Sequence, residues 1–247
     1  MAWNSYFKNK LKIGMLAWAM VAGVVVPAFA EDPPKLALSG SAWFTTDYMF
    51  RSISNTSQNP AVQAELDATY GIFYAYMWGS NSFYGENIEL DYGIGITPKW
   101  GPVTFNIAGL AYTWPGANDI DFFELKTGAS WTTGNWAWGI TNYWSPDYAG
   151  AFGNSDAIEG SLAYNFTGKL WNFFTPSISG GVGFQSYDKI ASDYVYWNAG
   201  FTLGFLERWS ADIRYYDTDY NSNQCFVQSG GRDFCDARAV GTIKATF

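Results

Sequence analysis

Ile88-Glu89-Leu90-Asp91-Tyr92-Gly93-Ile94-Gly95-Ile96-Thr97 carries the clearest periodicity in the sequence. Apolar residues occupy every second position, and acidic or small residues fill the gaps. A helix would repeat its apolar residues every three or four positions; strict alternation is the period of a strand with one wet and one apolar face. The same period runs through Val62–Tyr70, with Gln63, Glu65 and Asp67 in the polar phase, and through Ile158–Phe166, with Glu159. It returns in Val195–Phe205 and in Ala237–Phe247, where Arg238 and Lys244 lie in the polar phase. Clusters of Gly, Asn, Asp and Pro separate these runs, as turns require.

Alternation alone fits a soluble barrel, lipocalin-like or jelly-roll, with its apolar face inward, or a membrane barrel with that face outward. Three features favour the membrane. Strands read near 36–50, 60–69, 72–79, 87–97, 102–113, 121–131, 136–144, 157–166, 173–185, 194–205, 209–217 and 236–247 are joined alternately by long polar and short tight connections. That rhythm is the one of outer-membrane barrels. Trp78, Trp100, Trp114, Trp131, Trp136, Trp144, Trp171 and Trp209 fall near strand ends, where interfacial belts place them. The chain ends in Phe247, in the outward phase of its last strand, a residue that barrel assembly machinery commonly reads. The expectation is all-β: a transmembrane antiparallel up-and-down β-barrel of about twelve strands, with outer-membrane lipid around it.

The chain of 247 residues opens on a different pattern. Lys8, Lys10 and Lys12 precede the apolar run Ile13–Val26, then Pro27 and Ala28-Phe29-Ala30. A basic region, a short apolar region and a small-x-small site in that order predict a signal peptide over residues 1–30, cut after Ala30. The alternative, an anchor helix, would need ~20 apolar residues. Residues 31–247 are then one exported barrel domain.

That domain carries eleven Lys and Arg against 22 Asp and Glu, a net charge of −11. Nucleic acid is excluded as a partner, since it calls for a basic face. Aromatic residues make up 20% of the sequence, and charged residues only 15%, against about a quarter in ordinary soluble domains. Histidine is absent, which removes Ser-His, Cys-His and Asp-His catalysis and the usual zinc ligand sets. No cofactor, metal or catalytic group is expected. Cys225 and Cys235 lie in a polar, Gly-containing stretch. In an exported chain this spacing predicts a disulfide closing a loop; two free thiols are the alternative.

Lumen-lining candidates follow from the polar phases: Gln63, Glu65, Asp67, Glu89, Asp91, Glu124, Lys126, Glu159, Arg214, Arg238 and Lys244. Each could equally serve as an internal ion-pair partner, because buried charges demand pairing. Asp47 and Arg51 are expected either as a local pair anchoring the first loop or as a constriction contact. The i, i+2 acids, Glu65 with Asp67 and Glu89 with Asp91, could suggest glycosidase carboxylates, but this spacing is simply one strand face.

Asp47-Tyr48-Met49-Phe50-Arg51-Ser52-Ile53-Ser54-Asn55-Thr56, followed by Pro60-Ala61-Val62-Gln63, resembles the opening motif of the TorF family of porins. Trp78-Gly79-Ser80-Asn81 and Glu89-Leu90-Asp91 resemble that family's next landmarks, and Ser52 and Asn55 stand where it has Gly and Gln. The resemblance spans the exported part and implies an outer-membrane channel of unspecified solute. The leading expectation is therefore a passive channel for small polar, cationic solutes. A closed structural or adhesive barrel working through its loops is the alternative, and an outer-membrane enzyme is disfavoured by the missing histidine.

Overall fold

The computed structural model describes residues 34–247; the expected signal peptide and its cut lie outside the described residues. Twelve long strands make up the barrel: β1 Leu36–Thr45, β2 Ala61–Tyr70, β3 Phe73–Asn81, β4 Ile88–Ile96, β5 Val103–Thr113, β6 Phe122–Thr133, β7 Trp136–Ser145, β8 Ser155–Asn165, β9 Thr175–Tyr187, β10 Tyr194–Phe205, β11 Trp209–Thr218 and β12 Arg238–Thr246. Each pairs antiparallel with its sequence neighbours, and β1 with β12 (Ser41 opposite Thr246) closes the ring. A closed ring leaves no strand edge unpaired, the condition for a sheet to stand in hydrocarbon.

The stretch from Ile88 behaves as its period requires. Glu89, Asp91 and Gly93 are buried in the barrel, while Ile88, Tyr92 and Ile94 are exposed on its outside. Large apolar side chains cover the exterior: Val62 is 67% exposed, Ile94 71% and Ile213 61%. In water such a surface would be unfavourable by roughly 25 cal/mol per Å²; against lipid it is matched.

Short turns use left-handed residues, with Gly71 and Gly134 at φ near +60° and Leu206 and Glu207 also at positive φ. At the opposite rim run the longer connections, of which 219–237 carries helix α1 Ser222–Ser229. That helix has a capping box, Asn221 accepting from the Gln224 amide and Gln224 returning to the Asn221 amide, and ends on Gly230 at φ +80°. Cys225 and Cys235 are bonded to each other within this connection.

Three expectations need correction. The first strand stops at Thr45 rather than running to residue 50, because the chain beyond it turns into the lumen. The connection between β8 and β9 was expected to be short, yet it runs over residues 166–174. Of the tryptophans expected in belts, Trp100 and Trp171 are 81% and 85% exposed, but Trp114 is only 5% exposed and points inward to Glu89. Trp78 also faces in, its ring 5.2 Å from that of Tyr48. An indole N–H can satisfy a buried carboxylate, and a belt position would leave that carboxylate unbonded.

Candidate functional site: the interior of the barrel

The segment between β1 and β2 crosses the lumen. Asp47 organises its base: one carboxylate oxygen accepts from Ser54 (2.7 Å) and Thr56 (2.9 Å), and the other pairs with Arg238 of β12 at 2.9 Å. From there Met49–Phe50 and Ile53–Ser54 form a two-residue hairpin whose tip is Arg51-Ser52. Both tip residues have positive φ, 47° and 61°, as the tight hairpin turn demands, a conformation that favours glycine. Bonds to the far wall hold them there.

Those contacts reach four strands. Arg51 makes an ion pair with Glu124 of β6 at 2.8 Å and donates to Gln185 of β9 at 3.0 Å. Its guanidinium also lies 4.9 Å from the ring centre of Tyr143 on β7. Tyr194 of β10 donates to the Arg51 carbonyl at 3.3 Å, and the Ser52 hydroxyl donates to the Trp197 carbonyl at 3.0 Å. Asp47 and Arg51, expected as a possible local pair, therefore do not pair with each other; each is tied to a different strand.

The remaining candidates fall into two groups. Glu89, 1% exposed, accepts from Tyr48 at 2.9 Å and from the Trp114 indole at 3.1 Å. Glu124 accepts a further bond from Tyr112 at 3.0 Å. Gln63 donates to Ser80 at 3.2 Å and accepts from the Trp43 indole. Arg214 is held by Asp212 (3.2 Å), Asn198 (2.7 Å) and Ser179 (2.8 Å). In the second group, Glu65, Asp67 and Lys126 are half-buried, and Lys244 lies 4.3 Å over the Trp43 ring. Glu159 accepts from Tyr196 at 2.7 Å. Asp91 is buried with an oxygen that has no hydrogen-bond partner. Among the described residues, none of Glu65, Asp67, Glu89, Asp91, Glu159, Lys126 and Lys244 is in an ion pair.

Sequence reading missed Tyr48, Gln185, Tyr194 and Asp212. Asp212 and Gln185 sat in the polar phase of their strands and could have been taken from it; Tyr48 stood in the quoted motif without a role, and Tyr194 carried no comparable signal, since an aromatic residue fits either face.

The crossing hairpin divides the interior. On the short-turn side lies a cavity of about 600 Å³ lined by Arg51, Lys126, Glu159, Asn198 and Arg214. Beside it a cavity of about 390 Å³ lies against Trp43, Asp47, Asp212 and Lys244. On the long-loop side is an aromatic chamber of about 200 Å³. Burial raises the hydroxyls of Tyr84 and Tyr148, on the loops around that chamber, well above the ordinary tyrosine range, so both remain neutral donors. No described group of acids or cysteines is arranged to hold a metal ion.

Comparison with known proteins now adds to this geometry. Residues 30–247 match the family described as "Bacterial protein of unknown function (Gcw_chp)". No curated protein matches the sequence. Among solved structures, the barrel is similar to the KdgM porin, with a TM-score of 0.57 at 6% identity, covering 85% of this chain and 99% of that one. A second structure of that porin, in complex with disordered oligogalacturonate, gives 0.56 at 6% identity over the same shares. The NanC porin gives 0.53 at 13% identity, again over 85% of this chain and 99% of that one. At such identities the likeness is one of fold.

Proposed function

The chain belongs to the Gcw_chp family, and from its fold likeness to porins and the interior just described we propose that it is a porin-like outer-membrane channel for passive diffusion of small polar solutes, with a preference for cations. It is read as a member of the TorF porins within that setting, inserted by the barrel assembly machinery through Phe247 and surrounded by outer-membrane lipid. Phe247 supports this: it is 63% exposed and its amide and carbonyl are bonded to Gly40 at the closing seam.

The observation that carries the cation preference is how the arginines are used. Arg51, Arg214 and Arg238 are each neutralised by a carboxylate, Glu124, Asp212 and Asp47. Among the described residues Glu65, Asp67, Glu89, Asp91 and Glu159 are in no ion pair, and of the interior cations only two, Lys126 and Lys244, stand outside one as well. Carboxylates around a pore favour cations. At ~4 Å and an effective dielectric of ~20, one such charge is worth on the order of 4 kcal/mol before desolvation and screening. No chemistry is assigned: the acids lie in strand phase, and without histidine the usual proton-transfer pairs are missing.

Planar-bilayer recording tests the reading. Reproducible conductance steps with a cation-selective reversal potential in a salt gradient are expected; anion selectivity would overturn the preference. A second reading is a closed barrel that works through its loops. The hairpin tied across the lumen by Arg51 favours it, and a complete lack of conductance would establish it.

A further inference from the structure

The chamber on the long-loop side has a chemistry that general permeation does not need. Its walls include Phe50, Tyr112, Trp114, Phe122 and Tyr148, and Glu89 stands among them. Phe122 is the hub of the rings: its centre lies 4.4 Å from Tyr112, 5.8 Å from Trp114 and 4.3 Å from Tyr148. The chamber reaches the loop surface at Ala151, which is exposed, beside half-buried Ile120 and Gln228.

Two features separate this chamber from an ordinary aromatic core. The first is charge. Glu89 has two donors, Tyr48 and Trp114, but no ion-pair partner, and Asp91, the next residue inward on the same strand, has none either. The nearby Arg51 is already matched by Glu124. The second is an acceptor without a donor: Gln228 Oε1 is buried at the chamber's edge and has no hydrogen-bond partner. A cavity walled by π-systems, with a carboxyl group outside any ion pair and a buried acceptor at its edge, suits a positively charged or N–H-bearing guest. A hard metal ion is a poor fit, because both oxygens of Glu89 are engaged and the rest of the wall is largely aromatic. A large, weakly hydrated cation suits it, since aromatic rings and a carboxylate together replace its thin hydration shell.

We propose that this chamber is a binding site for a small organic ammonium ion. The proposal shares with the channel reading only the surplus of interior carboxylates; binding at the loop-side mouth does not require an open path through the barrel. Trp114 and Glu89 act together there, the indole N–H fixing the carboxylate and its ring forming wall.

The test uses the full chain folded in detergent micelles and choline as the probe, read by titration calorimetry. The comparison ligand is choline's neutral isostere, with carbon in place of the ammonium nitrogen. Saturable choline binding is expected, with the isostere weaker by ~10-fold or more, the scale of a desolvated cation–π and carboxylate contact. Glu89→Gln, in protein shown to be folded by its heat-modifiable migration, should bring the two ligands to nearly equal affinity. Failure of choline to bind, equal binding of the isostere to the unmodified protein, or an unchanged preference in folded Glu89→Gln would each overturn the proposal. Anion-selective reversal potentials alongside choline binding would sink the cation channel and leave this site standing; cation-selective conduction without choline binding would do the reverse.

Discussion

Arg51 and Glu124 meet at 2.8 Å in the middle of the barrel, although 73 positions separate them in the chain. Their side chains are 3% and 0% exposed. This ion pair fastens the lumen-crossing hairpin to the wall, so it couples the stability of the barrel to whether its interior is blocked. Removing one partner of a buried pair leaves an unmatched charge and typically costs about 3–5 kcal/mol, whereas removing both can be close to neutral. Arg51→Met and Glu124→Gln should each lower the urea midpoint of the folded protein in lipid, and the double variant should recover most of the loss. Conductance should rise in all three as the hairpin loosens. Additive losses in the double variant would show that the two residues act separately.

The disulfide should matter beyond its own loop. The connection it closes also holds the hairpin and the loop between β3 and β4: Ser54 of the hairpin donates its amide to the Phe234 carbonyl at 2.9 Å, and Tyr84 of that loop donates to the Ser229 carbonyl at 3.3 Å. Replacing Cys225 and Cys235 together by Ser should cost about 3 kcal/mol in the chain-entropy view. Single-channel traces should also become noisier. Mass analysis of unreduced protein should find no free thiol, and two would refute the pairing in cells.

Glu65 and Asp67 offer the cleanest test of selectivity, because they are half-buried and no arginine matches them. Glu65→Gln with Asp67→Asn should move the reversal potential toward anions. The effect should shrink as salt rises and the Debye length falls from ~10 Å at 0.1 M to ~3 Å at 1 M. An unchanged reversal potential at low salt would mean that these acids do not face the permeation path.

Gly150 should resist substitution. Its φ is +64°, and a Cβ there would stand 2.1 Å from the Asp119 carbonyl oxygen, a backbone atom that cannot move aside freely. Gly150→Ala should therefore push apart the two loops around the aromatic chamber and cost about 1–3 kcal/mol through strain at this position. A melting temperature equal to that of the unmodified protein would show that the loops separate without penalty.

Much of the barrel was legible in the sequence. Glu89, Asp91 and Gly93 face inward and Ile88, Tyr92 and Ile94 outward because successive side chains of a strand must take opposite faces. That rule is local, so it can be read from neighbours alone. Trp114 escaped it: its place near a strand end looked like a belt position, and only Glu89, buried and in need of a donor, draws the indole inward.

The strand set and its division into an apolar and a polar face are written locally in the chain, because period-two alternation and turn residues are short-range chemistry. The course of the segment after Thr45 depends instead on long-range contacts. Its residues look like a strand end followed by a polar loop. The partners that turn it inward, Glu124, Gln185, Trp197 and Arg238, lie on strands remote in sequence. No spacing encodes such meetings; they exist once barrel closure brings the far wall within reach of Arg51.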